Sequence, residues 1–370
     1  MKNLKLFDNH SKYDAYSNSV DYVLPNVSYC VEDKCLHYKK FVKNNYLKLK
    51  YNVTSTSEAT QLIAESRLTD LEEIIIDGNS ISPEKEYTFA TAGEHDVWFK
   101  FTDEAINYNG SGSAYVSGFD SNQNIIEIIE IPTDLLQLTN GAFGGCGIIK
   151  ANLYTPNGKL QNISNGAFSN SISLKQIIFP NTVLNIAGSA FYGCNALTEL
   201  NLPNSLKTIG LDAFCNCTVL NELIIPNSVE IIDASAFNGC AGIERLVLSS
   251  SMKVIYTGNW VGNTNLKEVI IPEGIEIINS GAFAGCTGLT EITLPSTIIE
   301  VQMGAFNGCS KILEITSLAA TPTISHGACS GVASNGTLYV PYGCTEAYSA
   351  WMEDDYLGRN GWTIQELPQE

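Results

Sequence analysis

Long apolar runs are missing from this chain: none reaches the ~20 residues that cross a bilayer, so no membrane span is expected. Basic residues are scarce, 21 against 39 acidic ones, and a net charge of −18 disfavours nucleic acid, because such a chain repels a phosphate backbone. The opening residues, MKNLKLFDNHSKYDAYSNS, carry lysines but no apolar stretch, so no signal peptide is expected there. Histidine is equally sparse. His10, His37, His95 and His326 are the only four, and none lies in an HxH or HExxH pattern. His95 reads as an exposed strand residue and His326 as a solvent-facing loop residue. GxSxG, P-loop and GxGxxG sequences are all lacking, so neither an enzyme nor a cofactor is expected. Charged residues make up only 16% of the chain and hydrophobic ones 44%, too apolar for disorder. What remains is a soluble, folded, acidic protein.

What the chain has is repetition. Ala-Phe recurs at Ala142-Phe143, Ala167-Phe168, Ala190-Phe191, Ala213-Phe214, Ala236-Phe237, Ala282-Phe283 and Ala305-Phe306, and Trp260 and Cys329 fall in the same column. From Phe143 the first step is 25 residues and each later step is 23. Cysteine follows three residues after the anchor, at Cys146, Cys194, Cys217, Cys240, Cys286 and Cys309. An aliphatic residue follows six after it, as at Leu197 and Leu220, and often a proline twelve after it, as at Pro203 and Pro226. Within LTELNLP (197–203), Leu200 and Leu202 have the two-residue period of a strand, and Pro203 ends it because proline cannot donate to the ladder. SLKTIG (205–210) returns as a second, looser segment. A single coil of this length cannot bury its own apolar side, whereas stacked coils share one core.

The repeat, AF-x-x-C-x-x-L-x-x-L-x-L-P-x-x-x-x-x-I, resembles the BspA-like family of short bacterial leucine-rich repeats over residues 125–343, and GTLYVPYGCTEAYSAW resembles the C-terminal cap of such proteins. The resemblance implies a curved solenoid of short parallel strands. It also implies adhesion or binding at a bacterial surface, without a shared catalytic site. Residues 344–370 are then the cap.

The cysteine column is expected to be a buried ladder of free thiols. Neighbouring coils lie ~4.8 Å apart, but stacked side chains point the same way, which disulfide geometry disfavours. Asn263 takes the same column in the coil of Trp260, and small polar side chains there are expected to cap amides of the loop. Cys30 and Cys35 differ: SYCVEDKCLHY reads as a hairpin, which permits a disulfide, and CxxxxC has no second ligand pair for zinc.

Ahead of the repeats, residues 1–45 are polar and aromatic. Residues 46–102 contain YLKLKYNVT, EEIIIDG, EYTFATAG and EHDVWFKFT, short strand patterns expected to form a small β-sandwich, with Gly78 and Asn79 as a turn. This stretch resembles the β module that precedes such repeats in related bacterial proteins, and LFDNHSKYDAY…VLPNVSYC resembles leading segments of some phage virion proteins. Residues 103–124 are either a linker or a decayed first repeat.

Two outward columns on the concave strands are candidates for contact. Eight residues after the anchors stand Gln176, Glu199, Glu222, Arg245, Glu268, Glu291 and Glu314. Two further on stand Ile178, Asn201, Ile224, Val247, Ile270, Thr293 and Thr316. The carboxylates suit cations or a basic partner, or are no more than repeat consensus with solubility. The apolar column suits an interaction site, or is no more than the β-propensity of Ile, Val and Thr. Three functions are set beside one another. The first is a non-catalytic binding or adhesion protein, at the cell surface or secreted, that contacts a protein or glycan. The second is a virion or assembly protein. The third is a glycan-active enzyme, for which identical stacked carboxylates offer no division into acid and base.

Overall fold

The fold is taken from a computed structural model, which describes residues 29–31, 34–36, 45–102, 116, 118–353 and 357–369. The chain divides into two units, Met1–Asn44 and Asn45–Glu370. In the first, strand Tyr29–Val31 runs antiparallel to Lys34–Leu36 with Cys30 opposite Cys35 in register. The two cysteine side chains, and hence any bridge between them, lie outside the described residues.

The second unit is a β-solenoid with one continuous apolar core from Leu47 to Trp362. Its axis is a stack of rings. Phe143, Phe168, Phe191, Phe214, Phe237 and Trp260 follow one another at centroid distances of 4.8–5.6 Å, all within 14° of parallel. Phe283 and Phe306 continue the column. Alanine precedes each phenylalanine because the turn is where coils come closest: Phe191 N donates to Ala213 O and Phe214 N to Ala236 O at 2.7 and 2.8 Å. Phe119 extends the stack by one ring, 5.4 Å from Phe143, and Val116 bridges in parallel to Leu138. The described part of 103–124 is therefore packed as a further coil.

The turn also explains two columns that the repeat formula passed over. Two residues before the anchor and two after it, the backbone is left-handed in coil after coil. Gly166, Ser189, Asp212 and Ser235 hold it before the ring, and Asn170, Gly193, Asn216 and Gly239 after it. Glycine, asparagine and aspartate tolerate positive φ, and Ser189 and Ser235 are held in it by the repeat of the turn.

Two ladders of short parallel strands run along the solenoid. The one expected to be concave comes in three pieces. Lys150–Asn152 and Gln176–Ile178 belong to the first, Glu222–Ile224, Arg245–Val247 and Glu268–Ile270 form the second, and Glu291–Leu294, Glu314–Ser317, Thr337–Val340 and Thr363–Glu366 form the third. LTELNLP, expected as a strand, is not one: Leu197 and Leu200 are buried as its periodicity requires, but no ladder forms at Glu199–Asn201. Its apolar side is satisfied by the core without the backbone pairing. The returning segment does pair, at Thr208–Ile209.

The β-rich region at 46–102 is present, and its main sheet is continuous with the solenoid. Tyr46–Val53 pairs antiparallel with Gly93–Phe101 on one side and with Ile125–Glu130 on the other, and Ile125–Glu130 pairs in parallel with Lys150–Asn152. The turn before Asn79 is made by Asp77 and Gly78, both left-handed, while Asn79 already pairs with Ile76. At the other end, the 3-10 helix Thr345–Met352 buries Tyr348 and Trp351 over the last coil.

Candidate functional site

The outward column of the longer-strand ladder is assembled by register. Glu222, Arg245 and Glu268 are direct neighbours, as are Ile224, Val247 and Ile270, and Glu291 lies beside Glu314. Alternation along each strand buries Leu223 and Leu246 and leaves these side chains outward. Ile224 is 54% exposed and Ile270 40%, with Val247 between them half-buried.

Arg245 is tied on both sides. Its Nη1 donates to Glu222 Oε1 at 2.7 Å and its Nε to Glu268 Oε2 at 3.0 Å. The hydrogen bond that Arg245 donates to Glu222 and the charge of Glu268 raise the guanidinium pKa above its ordinary value. Glu199, Glu291 and Glu314 are exposed and have no ion pair among the described residues. The middle of the row is thus partly compensated, with one guanidinium between two carboxylates, and the rest of its acidic excess lies to either side.

The row does not stop where the repeats do. Register carries it from Gln176 through Lys150 and Glu127 to Lys50 and Asp96 on the antiparallel strands. There the charges alternate and pair: Lys150 with Glu127 at 3.4 Å, Lys50 with Glu94 at 3.1 Å, Lys48 with Asp96 at 2.7 Å. Lys48 also stands 4.7 Å over the Trp98 ring. Sequence reasoning missed this half of the face. The signal was present as Lys48 and Lys50 alternating with buried Leu47, Leu49 and Tyr51.

The cysteine column is buried, and its thiols are free in Cys146, Cys194, Cys217, Cys240, Cys286 and Cys309. The expected role of capping amides is corrected: each thiol donates to a carbonyl, that of the anchor in the preceding coil. Cys194 Sγ reaches Phe168 O at 3.1 Å, Cys240 reaches Phe214 O at 3.1 Å and Cys309 reaches Phe283 O at 3.1 Å. Asn263 Nδ2 and Ser171 Oγ do the same to Phe237 O and Phe143 O. The column therefore needs a small donor, which Cys, Asn and Ser share. Burial pushes the thiols of Cys146, Cys194 and Cys309 up to about 12. Because the thiolate is the nucleophile, native protein should react with a thiol reagent at partly exposed Cys344 before any other of the described cysteines and spare the column until it unfolds. Fast stoichiometric labelling of Cys194 or Cys240, read by mass spectrometry, would contradict this packing.

His95 is the other correction. It is 7% exposed, because its position in register with Tyr51 puts its ring on the inner face of the sheet. Nδ1 lies 2.6 Å from Asp77 Oδ2, and Nε2 lies 2.9 Å from Thr91 O. This histidine–aspartate pair resembles part of a hydrolytic triad, but the carbonyl of Thr91 occupies the nitrogen that would face a nucleophile. Its geometry ties the Asp77–Gly78 turn to the 91–96 segment. An open depression of about 860 Å³ lies away from the row, on the turn side beside Arg67, Asp120, Asn140 and Asn165.

The sequence pattern of the BspA type leucine rich repeat region matches in six copies over residues 137–262 and 260–354, well over half of the chain. The chain belongs to this family. Family membership gives it a binding or surface role built on a non-enzymatic repeat scaffold. Among solved structures, a Treponema pallidum leucine-rich repeat protein is 29% identical, with 44% of this chain and 78% of that one covered and a TM-score of 0.41. A leucine-rich repeat protein from Bacteroides ovatus is 20% identical over 70% of this chain and 73% of that one, with a TM-score of 0.46. The pneumococcal vaccine antigen PcpA is 17% identical over 68% and 85%, with a TM-score of 0.34. No curated protein matches. No helix among the described residues is long and apolar enough to cross a membrane.

Proposed function

We propose that the chain is a non-catalytic binding protein, at the cell surface or secreted, that contacts a protein partner through the face carrying Glu222, Ile224, Arg245, Val247, Glu268 and Ile270. One observation carries the reading: two exposed aliphatic side chains, Ile224 and Ile270, and half-buried Val247 between them stand in register on one sheet, beside charges already paired with one another. Such a stripe loses water at little electrostatic cost, and a polar rim around an apolar centre is the composition of protein interfaces. The unpaired carboxylates Glu199, Glu291 and Glu314 flank it and favour a partner with basic groups at its edges. A surface of this form suits a protein better than a small molecule, which needs an enclosing pocket.

The test uses immobilised full chain and partner captured by cross-linking. Ile224→Asp with Ile270→Asp should weaken capture at least about tenfold, the loss expected when the centre of an interface is removed. Met303→Asp, exposed on the turn side, should leave it unchanged. Equal capture by all three proteins would place the contact elsewhere.

Arg245→Ala separates contact from architecture. With its guanidinium gone, Glu222 and Glu268 lose their shared counter-ion, and a surface ion pair contributes little to folding. The variant should bind more weakly while its melting temperature hardly moves. Unchanged binding with a lowered melting temperature would make the row structural.

A further inference from the structure

One coil departs from the repeat at three buried positions at once. Asn259 stands in the alanine column, Trp260 in the phenylalanine column and Asn263 in the cysteine column. The consequence is a missing ladder. In neighbouring coils the residue after the short strand donates to the coil before it: Gly210 N to Ile186 O and Asp233 N to Ile209 O at 2.8 Å, then Asn279 N to Ile255 O and Gln302 N to Ile278 O at 2.9 Å. The equivalent bond, from Tyr256 N to Ile232 O, is absent. Ile232 O instead accepts Asn259 Nδ2 at 3.1 Å. The shorter-strand sheet is split at this point into five strands ending at Ile231–Ile232 and four beginning at Val254–Ile255.

The split is not compensated inside. Asn259 Oδ1, Trp260 Nε1 and Asn263 Oδ1 are buried with no hydrogen-bond partner among the described residues. Outside, an open depression of about 540 Å³ lies along the gap, between Ile231, Val254 and Tyr256. The opposite side of the same junction is intact, because Glu222–Ile224 pairs with Arg245–Val247 and Gly239 N donates to Val261 O at 2.9 Å. A gap also occurs at Glu199–Asn201, but there the Ala-Phe pair is kept on both sides and no buried side-chain atom is left without a partner.

We propose that residues 249–263 form a seam built into the solenoid. The molecule opens locally here before it opens elsewhere, between Ile231–Ile232 and Val254–Ile255, with strands Glu222–Ile224, Arg245–Val247 and Glu268–Ile270 as the spine that stays closed. Unsatisfied buried polar groups lower the cost of admitting water, and absent backbone bonds remove what would resist it.

Hydrogen exchange of the full chain, read by mass spectrometry, tests this without any partner, so its result stands apart from the proposed binding face. Amides of 253–256 should exchange at least about tenfold faster than those of 207–210 and 276–279, while 246–248 stay protected. Restoring the repeat with Asn259→Ala, Trp260→Phe and Asn263→Cys should slow exchange at 253–256 by a similar factor and leave 207–210 unchanged. Should that variant not fold, Asn259→Ala alone frees Ile232 O and should slow the same amides. Three results would overturn the seam: equal protection of 253–256 and 276–279, exchange of 246–248 as fast as 253–256, or no slowing in a folded repair variant.

Discussion

Phe237→Ala is expected to lower the unfolding free energy by about 3–5 kcal/mol, the range for deleting a buried phenyl group. The ring is fully buried, 5.2 Å from Phe214 and 4.8 Å from Trp260, both within 6° of parallel. Its removal leaves a cavity and deprives two flanking rings of a stacking partner, a contact worth about 0.5–1.5 kcal/mol beyond burial. The site has little freedom to collapse. Coil spacing on either side is held by Phe214 N to Ala236 O at 2.8 Å, by Phe237 N to Asn259 O at 3.2 Å, and by Cys240 Sγ to Phe214 O at 3.1 Å. Equilibrium urea unfolding gives the measurement. Leu211→Ala serves as the comparison, since Leu211 is 53% exposed and its truncation should cost no more than about 0.5 kcal/mol. If the two variants unfold at the same urea concentration, the ring column is not what holds the coils together.

Trp351→Ala should cost a similar amount, about 3–5 kcal/mol, and should also change how the protein behaves in solution. Trp351 is buried in the short C-terminal helix, donates Nε1 to Pro322 O at 3.3 Å and packs 5.5 Å from the Tyr348 ring. Tyr348 in turn donates to Ala319 O and shares a hydrogen bond with Ser317 Oγ at 2.7 Å. These two side chains cover the apolar end of the last coil, a role without which stacked repeats expose core to water. The variant should therefore melt earlier and self-associate as it does so. Sedimentation velocity of the folded variant, together with thermal unfolding, provides the readout. A monomer with an unchanged midpoint would show that the end of the solenoid is closed by Trp362 and the last strand alone.

Much of the architecture could be read from residue spacing because each coil is in contact chiefly with its neighbours. A side chain's depth is then set by its place in the repeat, and Phe168, Phe191, Phe214 and Phe237 are buried for the same reason that they recur. The same logic located the outward columns at Glu222 and Ile224. It failed where a position's environment is set by something other than the repeat. His95 reads as exposed because it is polar, although alternation sets it on the same face as Val97, Phe99 and Phe101, and Leu197–Pro203 reads as a strand because burial and backbone pairing share one periodicity.

The amino-acid sequence by itself determined the repeat, its anchor rings and which side chains face outward, since these follow from local period and from the inability of one coil to bury its own apolar side. Only the tertiary structure decided three further things. It joined Gln176 through Lys150 and Glu127 to Lys50 and Asp96, because sheet register brings together residues far apart in the chain. It turned the cysteine column from a cap for amides into a donor to the anchor carbonyls. And it opened the sheet beside Asn259, because a side-chain amide in the place of a methyl group competes for the carbonyl that the next strand would have used.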